Sequence, residues 1–156
     1  MFRTMRRKER QLGKDDINMI LKEGMYGVLS VAGGEYAYGV PLSYALDADE
    51  IYLHMATAGL KLELLRSQPK VSFCVVGNVW PLSESFSMVY ESIVVFGVAE
   101  EIFAEEKNRA LELFLIKYSR DYLECGREYI KKAAERTIVY KIKIEHTSGK
   151  SRSASV

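Results

Sequence analysis

Two stretches of this chain combine residue types that could hold an anion beside a flat ring. The first is His54-Met55-Ala56-Thr57-Ala58-Gly59-Leu60-Lys61, which runs from an apolar strand-like stretch into a helix start. Free backbone N–H groups and the helix dipole favour negative charge at such a point. Gly59 permits close backbone approach, Lys61 adds a full charge within the first turn, and Thr57 and His54 supply a hydroxyl and a ring donor. Together they form a phosphate cradle. Each also has an ordinary use: a solvated lysine, an N-capping threonine, a satisfied structural histidine.

The second stretch, Tyr36 to Leu46, precedes it and is read as one strand. Successive side chains of a strand point to opposite faces, so Tyr36, Tyr38, Val40, Leu42, Tyr44 and Leu46 share a bulky face. Ala37, Gly39, Pro41, Ser43 and Ala45 share a small one. A floor of small side chains lets a planar ligand approach the backbone. Pro41 lacks a backbone donor, which equally suits an edge strand whose face is covered by another element.

The remaining elements must position these two. Ile17, Ile20 and Leu21, after Asp15 and Asp16, predict a short helix over Lys14–Glu23 that Gly24 ends. Tyr26–Ala32, the turn Gly33-Gly34 and Tyr36–Leu46 predict a β-hairpin. A turn at Asp47–Glu50, a strand at Ile51–Met55 and a helix at Leu60–Ser67 follow, the helix buried through Leu60, Leu64 and Leu65 and closed by Pro69. Val71–Val76 reads as a strand, Gly77–Ser87 as a loop carrying an exposed or interface Trp80, and Met88–Ile102 as β. Ala104–Tyr118 is the clearest helix, with Leu111, Phe114, Leu115 and Tyr118 on one stripe and Glu105 placed to pair with Arg109. A weaker helix covers Tyr122–Ala134. Thr137–Glu145 alternates as a half-buried antiparallel strand, and a polar, mobile tail begins at Ser148.

Short strands without regular strand–helix alternation disfavour a doubly wound parallel sheet. They predict a mainly β (β+α) fold, an antiparallel barrel with peripheral helices. Neither a Gly-x-Gly-x-x-Gly turn nor a Walker-type loop is present, so a nucleotide must be held otherwise. The 156 residues suit a single domain over 1–156, with an N-terminal arm at 1–12 and a polar C-terminal tail at 147–156. With 48% hydrophobic and 28% charged residues, and no apolar run of bilayer length, the expectation is a soluble cytoplasmic protein without a membrane role. A net charge of +1 argues against a nucleic-acid partner, and the basic residues of the arm read as solvated or dimer-contacting. Cys74 and Cys125 lack metal-ligand neighbours, so no metal is expected and Cys74 is assigned to the core.

Tyr38-Gly39-Val40-Pro41-Leu42-Ser43-Tyr44, Ile51-Tyr52-Leu53-His54-Met55-Ala56 with Gly59 and Lys61, and Gln68-Pro69-Lys70-Val71 resemble the pyridoxamine-phosphate-oxidase-like FMN-binding split barrels. The arm Met5–Arg10, the strand Ser92–Ala99 and the late Thr147-Ser148-Gly149-Lys150 are similar to the nitroimidazole-resistance-type branch. The resemblance implies FMN, with its ring along Val40, Pro41, Leu42 and Ser43 and its phosphate near His54, Met55, Ala56, Thr57, Gly59 and Lys61. It places Ser92 and its neighbours in the ribityl or phosphate region, adds Lys150 of the tail to the cofactor-binding residues, and implies a homodimer whose second protomer completes each site. Two departures stand out. Met55 replaces a small hydroxyl residue common in relatives, and Ser148 is inserted into a Thr-Gly-Lys tail.

A bound flavin carries the redox chemistry itself. The expected function is therefore an FMN-dependent oxidoreductase with a small-molecule substrate, a nitroaromatic being one candidate acceptor and NAD(P)H a candidate donor. His54 and Tyr44 are candidate substrate-side contacts. Two other functions follow from the same resemblance: a flavin-binding module without turnover, and a haem-binding barrel using His54 or His146.

Overall fold

The computed structural model describes residues 2–33 and 35–153, so part of the Gly33-Gly34 turn and the last residues of the tail lie outside the described residues. Seven strands form: β1 (Gly27–Val31), β2 (Tyr38–Leu42), β3 (Ala45–Asp47), β4 (Glu50–Ala56), β5 (Lys70–Leu82), β6 (Ser87–Ile102) and β7 (Thr137–Arg152). They make one sheet in the order β2-β1-β5-β6-β7-β4-β3, with every neighbouring pair antiparallel. β2 and β3 are the opposite edges, yet only Ser43 and Tyr44 separate them in the chain. An extended chain spans at most about 3.6 Å per residue, which holds the two edges within roughly 11 Å. The sheet must therefore roll into a barrel left open along one seam. This is the split antiparallel barrel expected from the sequence, with α1 (Lys14–Glu23), α2 (Leu60–Ser67), α3 (Ala104–Tyr118) and α4 (Leu123–Ala133) around it. Among the described residues no helix is long and apolar enough to cross a membrane.

The barrel interior takes side chains from five strands: Leu29, Leu53, Phe73, Ile93 and Ile142 are each 0% exposed. A second apolar cluster, including Tyr52, Ala110, Phe114 and Val139, lies on the other side of β4 and β7 beneath α3. Within Thr137–Glu145, Val139–Ile142 is thus covered on both faces, whereas Lys143 and Glu145 stay exposed as a half-buried strand would have them. Lys141 is drawn into this second layer, where its ammonium meets Glu106 at 2.6 Å, Glu50 at 3.2 Å and Glu100 at 3.3 Å.

Hydrogen bonding to Glu106, then to Glu50 and Glu100, raises the Lys141 pKa. The Glu50 carboxyl is lowered by the Tyr52 hydroxyl and by Lys141, and Glu100 by Lys143 and Lys141. Because these carboxylates ionise more readily folded than unfolded, their stabilisation is complete above the ordinary value of 4.5 and is lost as pH falls through the lower folded values. Removing the cation leaves three acids together. Lys141→Ala should cost about 2 kcal/mol, less than a fully buried pair because the carboxylates stay partly solvated. Urea unfolding at neutral pH measures that loss, and the variant's deficit should shrink below about pH 4 as the acids protonate.

Several expectations are corrected. Tyr36–Leu46 is two strands, because pairing breaks at Ser43–Tyr44, where the Tyr118 hydroxyl bonds the Tyr44 backbone and β3 crosses to pair with β4. Tyr44 keeps the inward alternation of Val40 and Leu42, is fully buried and donates its hydroxyl to the Leu21 carbonyl at 2.5 Å. Gly77–Ser87 is mostly a hairpin extension: β5 bulges after Val76, where Glu91 accepts from the Asn78 backbone and side-chain nitrogens, then re-pairs with β6. Pro81 is tolerated there because β1 pairs with β5 only up to Cys74, leaving that edge free. The tail continues as β7 to Arg152, paired with β6.

Leu62, and not Leu60, joins Leu65 in the core, leaving Leu60 54% exposed. Arg109 turns to Asp47 at 3.5 Å and to the Tyr52 hydroxyl, away from Glu105. Cys74 stands half-buried on the outer sheet face between Val28 and Val94, outside the core.

Candidate functional site

The small face predicted from Ala37, Gly39 and Pro41 points outward and is exposed. Strand register extends it across the sheet. Gly39, Ser30, Ser72 and Phe96 form one row over four strands, and Pro41, Val28, Cys74 and Val94 form the next. The sequence reading missed Ser30 and Ser72, although the alternation of β1 and β5 carried the signal: Ser30 follows Val28 and Ser72 precedes Cys74 at the strand period of two. A hollow of about 480 Å³ lies on this face, lined by Phe2, Ser30, Ala37, Ser72 and Phe96 among others. Phe2, from the N-terminal arm, stacks on His146 with ring centres 4.3 Å apart, and Leu12 of the same arm donates to the Gly149 carbonyl.

Val40 and Leu42 turn inward against the core, so it is the backbone of Val40–Ser43 that fronts the outer face. At its end, Ser43 Oγ lies 3.4 Å from His54 Nε2. This contact joins the two stretches singled out by sequence. His54 also meets Phe114 edge-on at 4.7 Å, and its pKa is lowered from 6.5 by burial and by the neighbouring charge of Lys61, which leaves the ring neutral at pH 7.

β4 ends at Ala56, and exposed Thr57, Ala58 and Gly59 lead into α2. Gly59 is the N-cap, with φ 125° and ψ 163°, and no side chain caps the helix start; Thr57 is not the cap. Burial lowers the Lys61 pKa, and among the described residues Lys61 forms no ion pair. A half-buried, unpaired ammonium beside uncapped N–H groups is chemically ready for an anion. The Gly59 backbone lies in a region open almost only to glycine, so Gly59→Ala should cost about 1–2 kcal/mol although nothing lies within 4 Å of the added methyl. Thermal unfolding checks this, and an unchanged midpoint would place the strain elsewhere.

Other expected site residues fall apart. Met55 is 6% exposed and packs in the barrel core, facing away from the cradle. Tyr44 is 0% exposed with its hydroxyl spent on Leu21, so it is not a substrate-side contact. Lys117 was not anticipated: its ammonium is enclosed 3.8 Å above the Tyr44 ring without a hydrogen-bond partner, and burial pushes its pKa down to about 8.

Ser92 and Lys150 do meet, as cross-strand partners on β6 and β7. Ser92 on β6 lies three strand spacings from β2 and Lys150 on β7 four, roughly 14 and 19 Å along the sheet. The unpaired residue of β7 is Glu145, where a bulge absorbs one extra position, whereas Ser148 pairs regularly with Val94.

The family model for pyridoxamine 5′-phosphate oxidase matches residues 13–151. The chain belongs to that family. No curated protein matches it. Among solved structures, a candidate 5-nitroimidazole antibiotic resistance protein from Bacteroides thetaiotaomicron is similar at 23% identity and TM-score 0.73, covering 90% of this chain and 86% of its own. An FAD-binding protein from Mesorhizobium loti has 23% identity and TM-score 0.67 over 92% and 98%. An FAD and haem binding protein from Mycobacterium smegmatis has 18% identity and TM-score 0.70 over 93% and 74%. At these identities the likeness is one of fold.

Proposed function

We propose that the chain binds a flavin, FMN, on the small-residue face and passes electrons through it to a small-molecule acceptor, with a nicotinamide nucleotide as donor. The observation that carries this is the Ser43–His54 contact, which sets an open floor of small residues against an uncapped helix start and an unpaired Lys61. The residues present fit such a cofactor. Gly39 and Pro41 leave the strand accessible, the N–H groups and Lys61 suit a phosphate, and neutral His54 can donate or accept a hydrogen bond. The flavin binding of structural relatives supports the same reading.

When bound, the flavin supplies hydride and electron transfer, and the chain supplies binding, orientation and electrostatics. Lys61 and the Gly59 turn hold the phosphate charge. The Val40–Ser43 backbone meets the polar ring edge, and the neutral imidazole of His54 adds a hydrogen-bonding group without a second charge. Ser92 and Lys150 of one protomer, three and four strands from its own β2, serve the site of the partner in a homodimer.

A nitroaromatic compound is one acceptor class to try. FMN-loaded protein should oxidise NADH or NADPH at a rate that depends on the acceptor, and binding without such turnover would leave a flavin-holding module. Haem held by both histidines is disfavoured. His54 pairs with Val139 on β7, and His146 lies seven residues further along that strand, roughly 20 Å away. A Soret band on haem titration without flavin binding would reverse this.

A further inference from the structure

The imidazole of His54 borders a second space, which shares no lining residue with the hollow on the small-residue face. Here α3 and α4 splay over β4. They approach closely at Gly126, where an added Cβ would fall 2.6 Å from a Leu115 methyl, and small residues at Ala133 and Ala134 leave the far end unfilled. The resulting hollow measures about 210 Å³ and is lined by Leu111, Phe114, Tyr129, Ala133 and Thr137 with His54 at its wall.

Its polar groups are nearly all engaged. The Thr137 hydroxyl donates to the Ala133 carbonyl at 3.0 Å, and Lys107 donates to the Ala134 carbonyl at 2.7 Å. His54 has its Nε2 beside Ser43 and its ring edge-on to Phe114, which leaves its second ring nitrogen, with the hydroxyl of the largely exposed Tyr129, as the lining groups without an assigned partner.

We propose that this hollow binds a neutral, single-ring aromatic molecule, ring against Phe114 and Leu111, with its polar substituent at His54. Size decides the ring count: an apolar cavity of about 150 Å³ accepts benzene, so this one holds one ring with a small substituent. Lining decides polarity, since aromatic and aliphatic walls whose free hydrogen-bonding groups are neutral, the His54 ring and the Tyr129 hydroxyl, select an uncharged ligand. The ring of Phe114 offers edge and face contacts to another aromatic. Its service as the electron-acceptor pocket rests on the flavin reading; the binding itself does not.

Phenol is the probe, and the chain offers an internal control because it has two histidines, the second, His146, stacked on Phe2. In NMR titration of the purified protein, phenol should shift the His54 ring signals saturably and leave those of His146 in place. His54→Phe should weaken binding about 5- to 10-fold by removing one hydrogen bond. Ala133→Leu, which fills the hollow, should abolish it while the circular dichroism spectrum is retained. If Ala133→Leu fails to fold, the His54 and His146 shifts of the unaltered protein still decide. Equal shifts at both histidines, or none at millimolar phenol, would overturn the proposal. Flavin affinity is measured separately, so loss of one result leaves the other standing.

Discussion

Gly39→Trp should weaken FMN binding by on the order of 100-fold, about 2.7 kcal/mol, while leaving the fold intact. Gly39 is exposed at the edge of the barrel, and a Cβ there would meet only Val28 and Ser30 at ordinary distances of 3.6 and 3.8 Å. The protein therefore accepts a side chain at this position. A planar cofactor lying along β2 does not, because the indole would stand where its ring approaches the backbone. Fluorescence titration with FMN and a thermal melt on the same sample separate the two effects. A melting temperature near that of the unaltered protein with undiminished FMN affinity would move the ring site off β2.

Lys61→Ala should weaken FMN by about 10- to 150-fold, or 1.5–3 kcal/mol, the range of a hydrogen bond to a charged group. The size of the effect follows from the environment of the ammonium. Burial has already lowered its pKa and no carboxylate among the described residues neutralises it, so a phosphate would meet a charge with little competition. Lys61→Arg should keep most of the affinity, and Lys22→Ala, on α1, should change nothing. The affinity lost in Lys61→Ala should shrink as salt rises, because the contact is partly open to solvent. Riboflavin, which lacks the phosphate, should bind both proteins alike.

What was legible in the sequence were features written in short-range periodicity. The alternation of Tyr38–Leu42 survives as β2, and the leucines after Gly59 do form α2, with Leu62 replacing Leu60 on the buried side. What escaped depends on partners far along the chain. Nothing local announces that pairing will break at Ser43–Tyr44, since the cause is Tyr118, 74 residues further on, whose hydroxyl takes the Tyr44 backbone N–H. Gly77–Ser87 carries loop-like residues, yet β6 pairs with it and Glu91 seals its bulge. Lys141 looks like a solvated residue of an alternating strand until α3 brings Glu106 over it.

The candidate site divides the same way. His54, Gly59 and Lys61 were found because helix-start chemistry is local, and Ser43 because it shares a strand period with Pro41. The breadth of the floor, with Ser30 and Ser72 beside Gly39, emerges only from strand order. So does the separation of Ser92 and Lys150 from β2.

In the proposed complex a flavin sits on the outer face around Gly39 with its phosphate at Lys61. The most direct measurement is titration of the purified, flavin-free protein with FMN, read by quenching of flavin fluorescence. Saturable binding of one FMN per chain, weakened in Lys61→Ala and in Gly39→Trp, is the predicted result. Absence of saturable binding, or affinity unchanged in both variants, would contradict it.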